Sequence, residues 1–346
     1  MRLGGPAKYV IEIEKPEEIK AAHEFALEKN LPIFILGGGA NTIAKDEGFN
    51  GVIIKNAMKG IEWAGGRNDS FEGPKTWPSG PERPEKESFG QDPLFDLLVM
   101  GGTDWDAVVE FACEKGLTGI EALSKIPGLA GAAPVQNIGA YGQDISETFV
   151  SAEVYDFKEK TFKTLKKSDF GFSYRKSILN SSEKGRYFII SITLKLKKGK
   201  MSRPFYNSIE KYIEENQISD FSPQKIREIV SKIRADKLPD PKFEASAGSF
   251  FKNIYLNADE AKDAEEKGLP VYHGHDGYKI NSGWLIEACG LSGKLLHGMR
   301  VNEKAALVLI NESARNYADL ASARAEIIAA VKEKFGYTLE QEPVEL

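Results

Sequence analysis

Cysteine is almost missing. Cys113 and Cys289 are the only two in 346 residues and stand far apart. They fit neither a disulfide framework nor metal-ligand spacing, so two core thiols in a reducing, cytoplasmic setting are expected. Histidine is scarce too, with four in the chain. His273 and His275 form an H-x-H pair, but no third ligand has suitable spacing, and they read as exposed loop histidines with no metal. No apolar run approaches membrane-spanning length, and MRLGGPAKYVIEIEK has no apolar core of signal-peptide length, so a soluble protein with no membrane partner is expected. Positive charge is not in excess. The formal net charge of -5 gives no general attraction for nucleic acid, and any basic site for an anionic ligand must be local. Also missing are an internal repeat and the G-x-G-x-x-G spacing with its ribose-reading acidic residue, which argues against a Rossmann dinucleotide domain.

The remaining composition is that of a packed globular protein, with 41% hydrophobic and 28% charged residues. Its length points to two or three domains. Residues 17–29 read as a helix with Ile19, Ala22, His23 and Ala26 on one face, LPIFIL at 31–36 as a buried strand, and GVIIKN at 51–56 as another, together a βαβ-type unit. Between Glu62 and Pro93 the composition shifts to Gly, Pro, Ser and charge, which reads as a mobile surface insertion. Thr103 with Asp106 three residues on is an N-cap signature for a helix through Lys115, and strands are expected at 150–157, 161–165 and 186–197. Ile226, Val230 and Ile233 recur at helical spacing before the KLPDP break at 237–241, where a further domain begins. In it ALVLI at 306–310 reads as a strand. A helix from about 317 to 335 turns Leu320, Ile327, Ile328, Val331 and Phe335 inward and is capped by Gly336.

Two glycine-rich stretches carry the chemical interest. GGGAN at 37–41 follows a strand directly and serves equally well as a cradle of backbone N–H groups for a diphosphate or as a tight turn. IPGLAGAAPVQNIGAYGQD at 126–144 is almost wholly small residues, with Gln136 and Asn137 supplying amides. Such a segment lets backbone lie against a flat ring and bond its edge, so cofactor contact is expected there.

Together these stretches, LGGGAN and IPGLAGAAPVQNIGAYG, resemble the two flavin loops of the UDP-N-acetylenolpyruvoylglucosamine reductases (MurB), LGGGSN and IPGxxGAAPxQNIGAYG. GFSYRKS at 171–177, KLPDPKFEASAGSFFKN at 237–253, GWLIEACGL at 283–291 and ALVLINE at 306–312 extend the resemblance in the family's order, from about Leu3 to Glu342. It implies an α+β protein: a two-part FAD-binding fold of the vanillyl-alcohol-oxidase (PCMH-like) kind plus a C-terminal α+β substrate domain. In residues these are 1–58 and 59–236 for FAD, the latter carrying the 62–93 insertion. Residues 237–337 would hold substrate and 338–346 return to the active site. The reaction implied is NADPH-dependent reduction of UDP-N-acetylglucosamine enolpyruvate to UDP-N-acetylmuramate through bound FAD, a step of peptidoglycan precursor synthesis. The partners implied are small molecules, with the chain working as a monomer.

The same resemblance assigns residues. Leu36, Gly37, Gly38, Gly39, Ala40 and Asn41 would contact FAD, as would Ile126, Pro127, Gly128, Gly131, Ala132, Pro134, Asn137, Ile138, Gly139, Ala140 and Tyr141 in the second loop. Tyr174 and Arg175 match the substrate-binding pair, and a planar guanidinium suits a carboxylate. Lys237 would bind diphosphate or carboxylate, and Asn253 would orient substrate. Tyr206, in PFYNSIEKY, matches the substrate-capping tyrosine of the family's longer, first type. Ser249 corresponds to the proton donor, where sequence chemistry alone reads a turn serine after glycine. Glu342 matches the assisting glutamate of the C-terminal LEPEV element, but Gln341 and Pro343 stand where that element has proline and valine, and Glu340 and Glu345 compete for the register. Ala305 stands where some members place an amide before ALVLIN.

Overall fold

The structure is a computed structural model that describes residues 1–63, 94–274 and 277–346. The expected insertion at 62–93 lies outside the described residues from 64 onward. Its first two positions do not belong to it: Glu62 and Trp63 close the strand Ile61–Trp63 and pair with Leu98 and Leu97. The chain divides into two compact units. The larger comprises Ala7–Gly39 and Asn50–Arg234; the other, here the C-terminal unit, comprises Met1–Pro6, Ala40–Phe49 and Ala235–Leu346.

In the larger unit, Ala7–Ile13, Phe49–Asn56 and Ile33–Leu36 form a three-stranded sheet in that order, the last two parallel with Ile33 opposite Val52 and Ile35 opposite Ile54. Helix α1 (Glu18–Glu28) buries Ile19, Ala22, His23 and Ala26, the face its spacing predicts. Ile33–Leu36 itself is only half-buried. A second, antiparallel sheet runs Thr161–Lys166, Phe149–Asp156, Tyr187–Lys198, Leu94–Met100 and Ile61–Trp63. Along Tyr187–Lys198, Phe188 and Ile190 join the core under α1, whereas Ile192, Leu194 and Leu196 join the core beneath helix α2 (Trp105–Glu114). One strand therefore feeds apolar side chains to two cores, and removal of that surface from water drives both.

The N-cap of α2 is Asp104, whose side chain accepts from the Ala107 N–H at 3.0 Å, and not Thr103. Thr103 is taken up elsewhere: its hydroxyl accepts from the Gly60 N–H and donates to the Gly60 carbonyl, both at 3.1 Å. Asp106 does not close a capping box either, because Arg227 and Lys125 hold its carboxylate. Helices α3 (Asn207–Glu215) and α4 (Pro223–Lys237) enclose a small core of Phe205, Ile209, Ile213, Ile226, Ile229, Val230 and Ile233.

In the C-terminal unit, Ala245–Ser249, Val308–Asn311, Met299–Val301 and Leu295–Leu296 form a sheet in that order. The strand expected at 306–310 begins two residues later, because Ala306 packs into the core ahead of the ladder and the Ala305 carbonyl accepts from the Val308 N–H. A second sheet holds Ile254–Leu256, Gly277–Ile280 and Val271–Gly274. His273 lies in this last strand, not in a loop; it is exposed, and its ring meets Glu265 at 2.6 Å. His275 lies outside the described residues. Helices α5 (Ala258–Glu266), α6 (Ser282–Ala288) and α7 (Tyr317–Phe335) complete the unit. Helix α7 buries Leu320, Ala323, Ile327 and Val331, and Gly336 ends it at φ 79°. Ile328 and Phe335 are only half-buried.

Met1–Pro6 and Ala40–Phe49, expected in a contiguous segment 1–58, belong to the C-terminal unit, and they lie backbone against backbone on each other. A Cβ on Gly5 would lie 2.1 Å from the Asp46 carbonyl oxygen, and one on Gly48 2.0 Å from that of Pro6. Thr42–Ile43 also pairs in parallel with Val344–Glu345. Among the described residues no helix is long and apolar enough to cross a membrane.

The fully buried Asp156 ties down the hairpin of the second sheet. Burial alone would raise its carboxyl, but bonds from Arg186 at 3.0 and 2.8 Å and an ion pair with Lys163 overcome this and hold it well below the usual carboxylate range. Asp156→Asn should cost about 2–3 kcal/mol at neutral pH, since two cations lose their counter-charge. A folded-state value below the unfolded one, about 4, means that this stability is present above pH 4 and is lost as acid approaches the depressed folded value. Urea denaturation at pH 7 and pH 3 checks this: the gap between wild type and variant should narrow at the lower pH.

Candidate functional site

The glycines of the two loops in the larger unit sit against each other. A Cβ on Gly37 would lie 2.9 Å from the Ala132 Cβ, and one on Gly38 3.2 Å from the Gly128 Cα. Gly39, at φ 72°, faces open space, as does Gly128 at φ 131°. The N–H groups of Gly38 and Gly39 enter no hydrogen bond among the described residues. Closely approached backbone whose N–H donors are not used within the described residues is a cradle that side chains would fill, and it suits a diphosphate. Gly101, which sequence reasoning missed, is part of the same packing. Its carbonyl accepts from the Gly131 N–H at 2.9 Å, and a Cβ on it would meet the Ile189 carbonyl at 2.6 Å. The signal was available in the Gly-Gly pair that ends the strand Leu94–Met100.

Within 126–141 the structure separates scaffold from surface. Asn137 is buried at φ 46°; its Oδ1 accepts from the Ser146 N–H and its Nδ2 donates to the Ser173 carbonyl. Asn137 therefore shapes the loop through its side chain. Ile126 and Ile138 pack on the core under α2, while Gly139 and Ala140 form a two-residue ladder with Asp144 and Gln143. Tyr141, at φ 50°, packs edge-on against Tyr206, ring centroids 5.8 Å apart.

Tyr174 and Arg175 occupy the tip of a tight turn closed by paired hydrogen bonds between Ser173 and Lys176. Arg175 is itself at φ 51°. Its guanidinium lies over the Tyr174 ring and donates to the carbonyls of Gly139 at 2.9 Å and Asn137 at 3.5 Å. The turn thus presents a cation fixed to the second glycine loop. Tyr206 precedes α3 and is 45% exposed, enough to meet a ligand. Arg234 is a second missed residue; desolvation by burial lowers its guanidinium from the ordinary value, with the nearby Tyr141 opposing.

The remaining expected residues belong to the C-terminal unit. There Gly248 adopts φ 67° and the register of Ala245–Ser249 against Val308–Asn311 shifts between Ser246 and Ser249. A bulge of this kind re-aims the next side chain, which is that of Ser249. Residues 340–342 run antiparallel to 250–252: the Lys252 N–H donates to the Glu340 carbonyl and the Glu342 N–H to the Phe250 carbonyl, each at 2.9 Å. Ser249 and Glu342 are therefore brought onto neighbouring backbone positions.

The rival glutamates are committed elsewhere, Glu340 to Lys252 at 3.2 Å and Glu345 to Arg324 at 2.5 Å. Asn253 accepts from the Ser282 N–H at 3.2 Å and so steadies the start of α6. Lys237 ends α4 with an exposed side chain, and its carbonyl accepts from Asn302. Ala40 and Asn41, expected with the first loop, pack in this unit, where the Asn41 carbonyl accepts from the Val344 N–H and its Nδ2 donates to the Glu342 carbonyl at 3.4 Å.

The family model for the C-terminal domain of UDP-N-acetylenolpyruvoylglucosamine reductase matches residues 240–346, and that for an FAD binding domain matches residues 7–69. The UDP-N-acetylenolpyruvoylglucosamine reductase of Burkholderia multivorans is 32% identical over 343 residues, 98% of this chain and 91% of that protein. That of Thermobifida fusca is 33% identical over 358 residues, 99% and 93% of the two. The crystal structure of the reductase from Thermus caldophilus has the same fold, with a TM-score of 0.62 at 23% identity over 99% of this chain and 93% of that one.

If the glycine cradle holds the diphosphate of FAD, Gly38→Val should fold yet purify with a clearly lower flavin-to-protein ratio, because its side chain would press on Gly128 and cover the loop's N–H donors. The control is Gly116→Ala, at φ 68° just beyond α2. It should lose about 1 kcal/mol of stability and keep its flavin. Absorbance at visible and ultraviolet wavelengths and thermal melting of both variants decide the matter.

Proposed function

The chain belongs to the UDP-N-acetylenolpyruvoylglucosamine reductase family, and from that premise we propose how its residues share the work of turning UDP-N-acetylglucosamine enolpyruvate into UDP-N-acetylmuramate. It is an FAD-dependent oxidoreductase acting on a small UDP-sugar. Bound FAD would supply the hydride-transfer chemistry that links NADPH to the methylene carbon of the enolpyruvyl group. The backbone of Gly37–Gly39 and the small residues Gly128, Gly131, Ala132, Gly139 and Ala140 are its proposed holders. Close backbone approach at Gly38, and N–H groups of Gly38 and Gly39 that enter no hydrogen bond among the described residues, support that reading.

Arg175 is the proposed carboxylate holder. Reduction builds negative charge on the carboxylate and its neighbouring carbon, and a fixed guanidinium stabilises that charge without reorganising. The bonds from Arg175 to the carbonyls of Gly139 and Asn137 support a preorganised cation. Tyr174 and Tyr206 would line the substrate, Lys237 would meet diphosphate or carboxylate, and Asn253 would act through the backbone it holds.

Ser249 is the proposed proton donor to the carbon beside the one that takes hydride. A hydroxyl is a weak acid at neutral pH, so the step requires a strongly basic carbon and a neighbour that steadies the alkoxide. Glu342 is the proposed neighbour. The one observation that carries this assignment is the hydrogen bond from the Glu342 N–H to the carbonyl of Phe250, the residue after Ser249. A cytoplasmic location fits the two unpaired cysteines, one of them, Cys113, buried with its thiol pushed up to about 12 by desolvation.

The test is an anaerobic visible spectrum followed through addition of NADPH and then the enolpyruvyl substrate. Wild type should bleach and then recover. Ser249→Ala should keep its flavin and its bleaching by NADPH while recovery slows roughly 10²–10³-fold. Recovery at the wild-type rate in that variant refutes the role given to Ser249.

A further inference from the structure

The segment after α7 is held in register by short stretches of main-chain pairing. It contributes the buried Leu339, one bridge between Phe251 and Gln341 flanked by the bonds at Glu340 and Glu342, and the two-residue strand Val344–Glu345. Side chains alternate in direction along an extended chain, so a slip of one residue would put Gln341 or Pro343 where Glu342 points. Side-chain bonds supply what the short ladder does not. From α7, Arg324 Nη1 donates to Gln341 Oε1 at 2.6 Å and to Glu345 Oε1 at 2.5 Å, and Arg324 Nη2 approaches the Tyr317 hydroxyl at 3.4 Å. Tyr317 donates to the same Glu345 oxygen at 2.6 Å, and Gln341 Nε2 donates to the Pro343 carbonyl at 2.7 Å. Burial works to raise the Glu345 carboxyl, and the bonds from Tyr317 and Arg324 overcome it, leaving it below its ordinary value. One guanidinium therefore grips the chain on both sides of Glu342. Helix α7 supplies a rigid base for it through buried Leu320, Ala323 and Ile327. Gln341 is integral to the grip, because its amide bonds Arg324 with one end and the Pro343 carbonyl with the other; an apolar side chain there makes neither bond.

We propose that Arg324 is a positioning residue for Glu342, holding it in register beside Ser249 through Gln341 and Glu345. This rests on the reading of Glu342 as the assisting carboxyl. The grip acts through others and touches no reacting atom, so its loss should blur the placement of Glu342 without altering flavin reduction. Displacement of a catalytic group on the scale of an ångström costs up to roughly a hundredfold in rate.

The experiment compares the full-length holoenzyme with Arg324→Met, Glu342→Gln and their combination. Hydrogen exchange should quicken at the Glu342 and Val344 amides of Arg324→Met and stay unchanged in α7. Recovery of flavin colour on the enolpyruvyl substrate should slow about 10- to 100-fold while bleaching by NADPH is unchanged. The combined variant should be no slower than Glu342→Gln alone. Slow recovery in Glu342→Gln with wild-type recovery in Arg324→Met overturns the proposal and leaves the role of Glu342 standing. A further loss in the combined variant also overturns it, since Arg324 would then act by another route. Wild-type recovery in Glu342→Gln removes the reading beneath it. Should Arg324→Met fail to fold, Gln341→Leu opens one side of the grip only and is judged by the same comparisons.

Discussion

Backbone lying directly on backbone, where Gly38 meets Gly128 and Gly101 meets Gly131, is the contact on which the larger unit's ligand surface depends. Such contact is short-ranged and leaves little room for an added atom, so it holds two loops distant in sequence close together. The Gly38 and Gly39 N–H donors are left unused among the described residues. Arg175 extends the arrangement by bonding carbonyls of the second loop. A cation that would otherwise swing on a long stem is held as part of the loop, and ordering it in advance removes a cost that ligand binding would bear.

The two units solve the same problem with different means. In the larger one, close packing of small residues sets geometry, and charge enters at a single turn. In the C-terminal one, the parts nearest Ser249 are strand edges and a short returning segment, and charged or amide side chains set the register: Lys252 on Glu340, Arg324 on Gln341 and Glu345. The part-buried bonds of Arg324 are stronger than an exposed pair such as Lys252–Glu340 because they are partly screened from water.

What could be read from the sequence was whatever repeats over a few residues. The inward faces of α1 and α7, the strands around 150–197 and the glycine stretches carry local patterns, and they stand within a residue or two of where periodicity puts them. Misreadings came where a neighbour in space outbid a neighbour in sequence. Thr103 looks like a cap, but Gly60 claims its hydroxyl and Asp104 caps α2 in its place. ALVLI looks like a strand from its first residue, but Ala306 is needed in the core. Ser249 had no local signal beyond a glycine before it, and only the resemblance singled it out. The grip of Arg324 had none at all, because its partners are recognised by shape and not by spacing. Nor did the assignment of Met1–Pro6 and Ala40–Phe49, since pairing between remote segments leaves no periodic trace.

That last feature governs how the molecule can be made. Asn41 and Glu342, 301 positions apart, are joined by a hydrogen bond, and among the described residues the strand partner of Thr42–Ile43 is Val344–Glu345. On the ribosome the early segment emerges long before its partners exist. It must wait unpaired, as a short edge, until Val344–Glu345 leave the exit tunnel. The C-terminal unit thus cannot close before residues 342–345 have been made. A chain stalled between Arg234 and Glu342 would have every residue of its larger unit while the other is left open, a product that quality-control proteases can distinguish from the closed one.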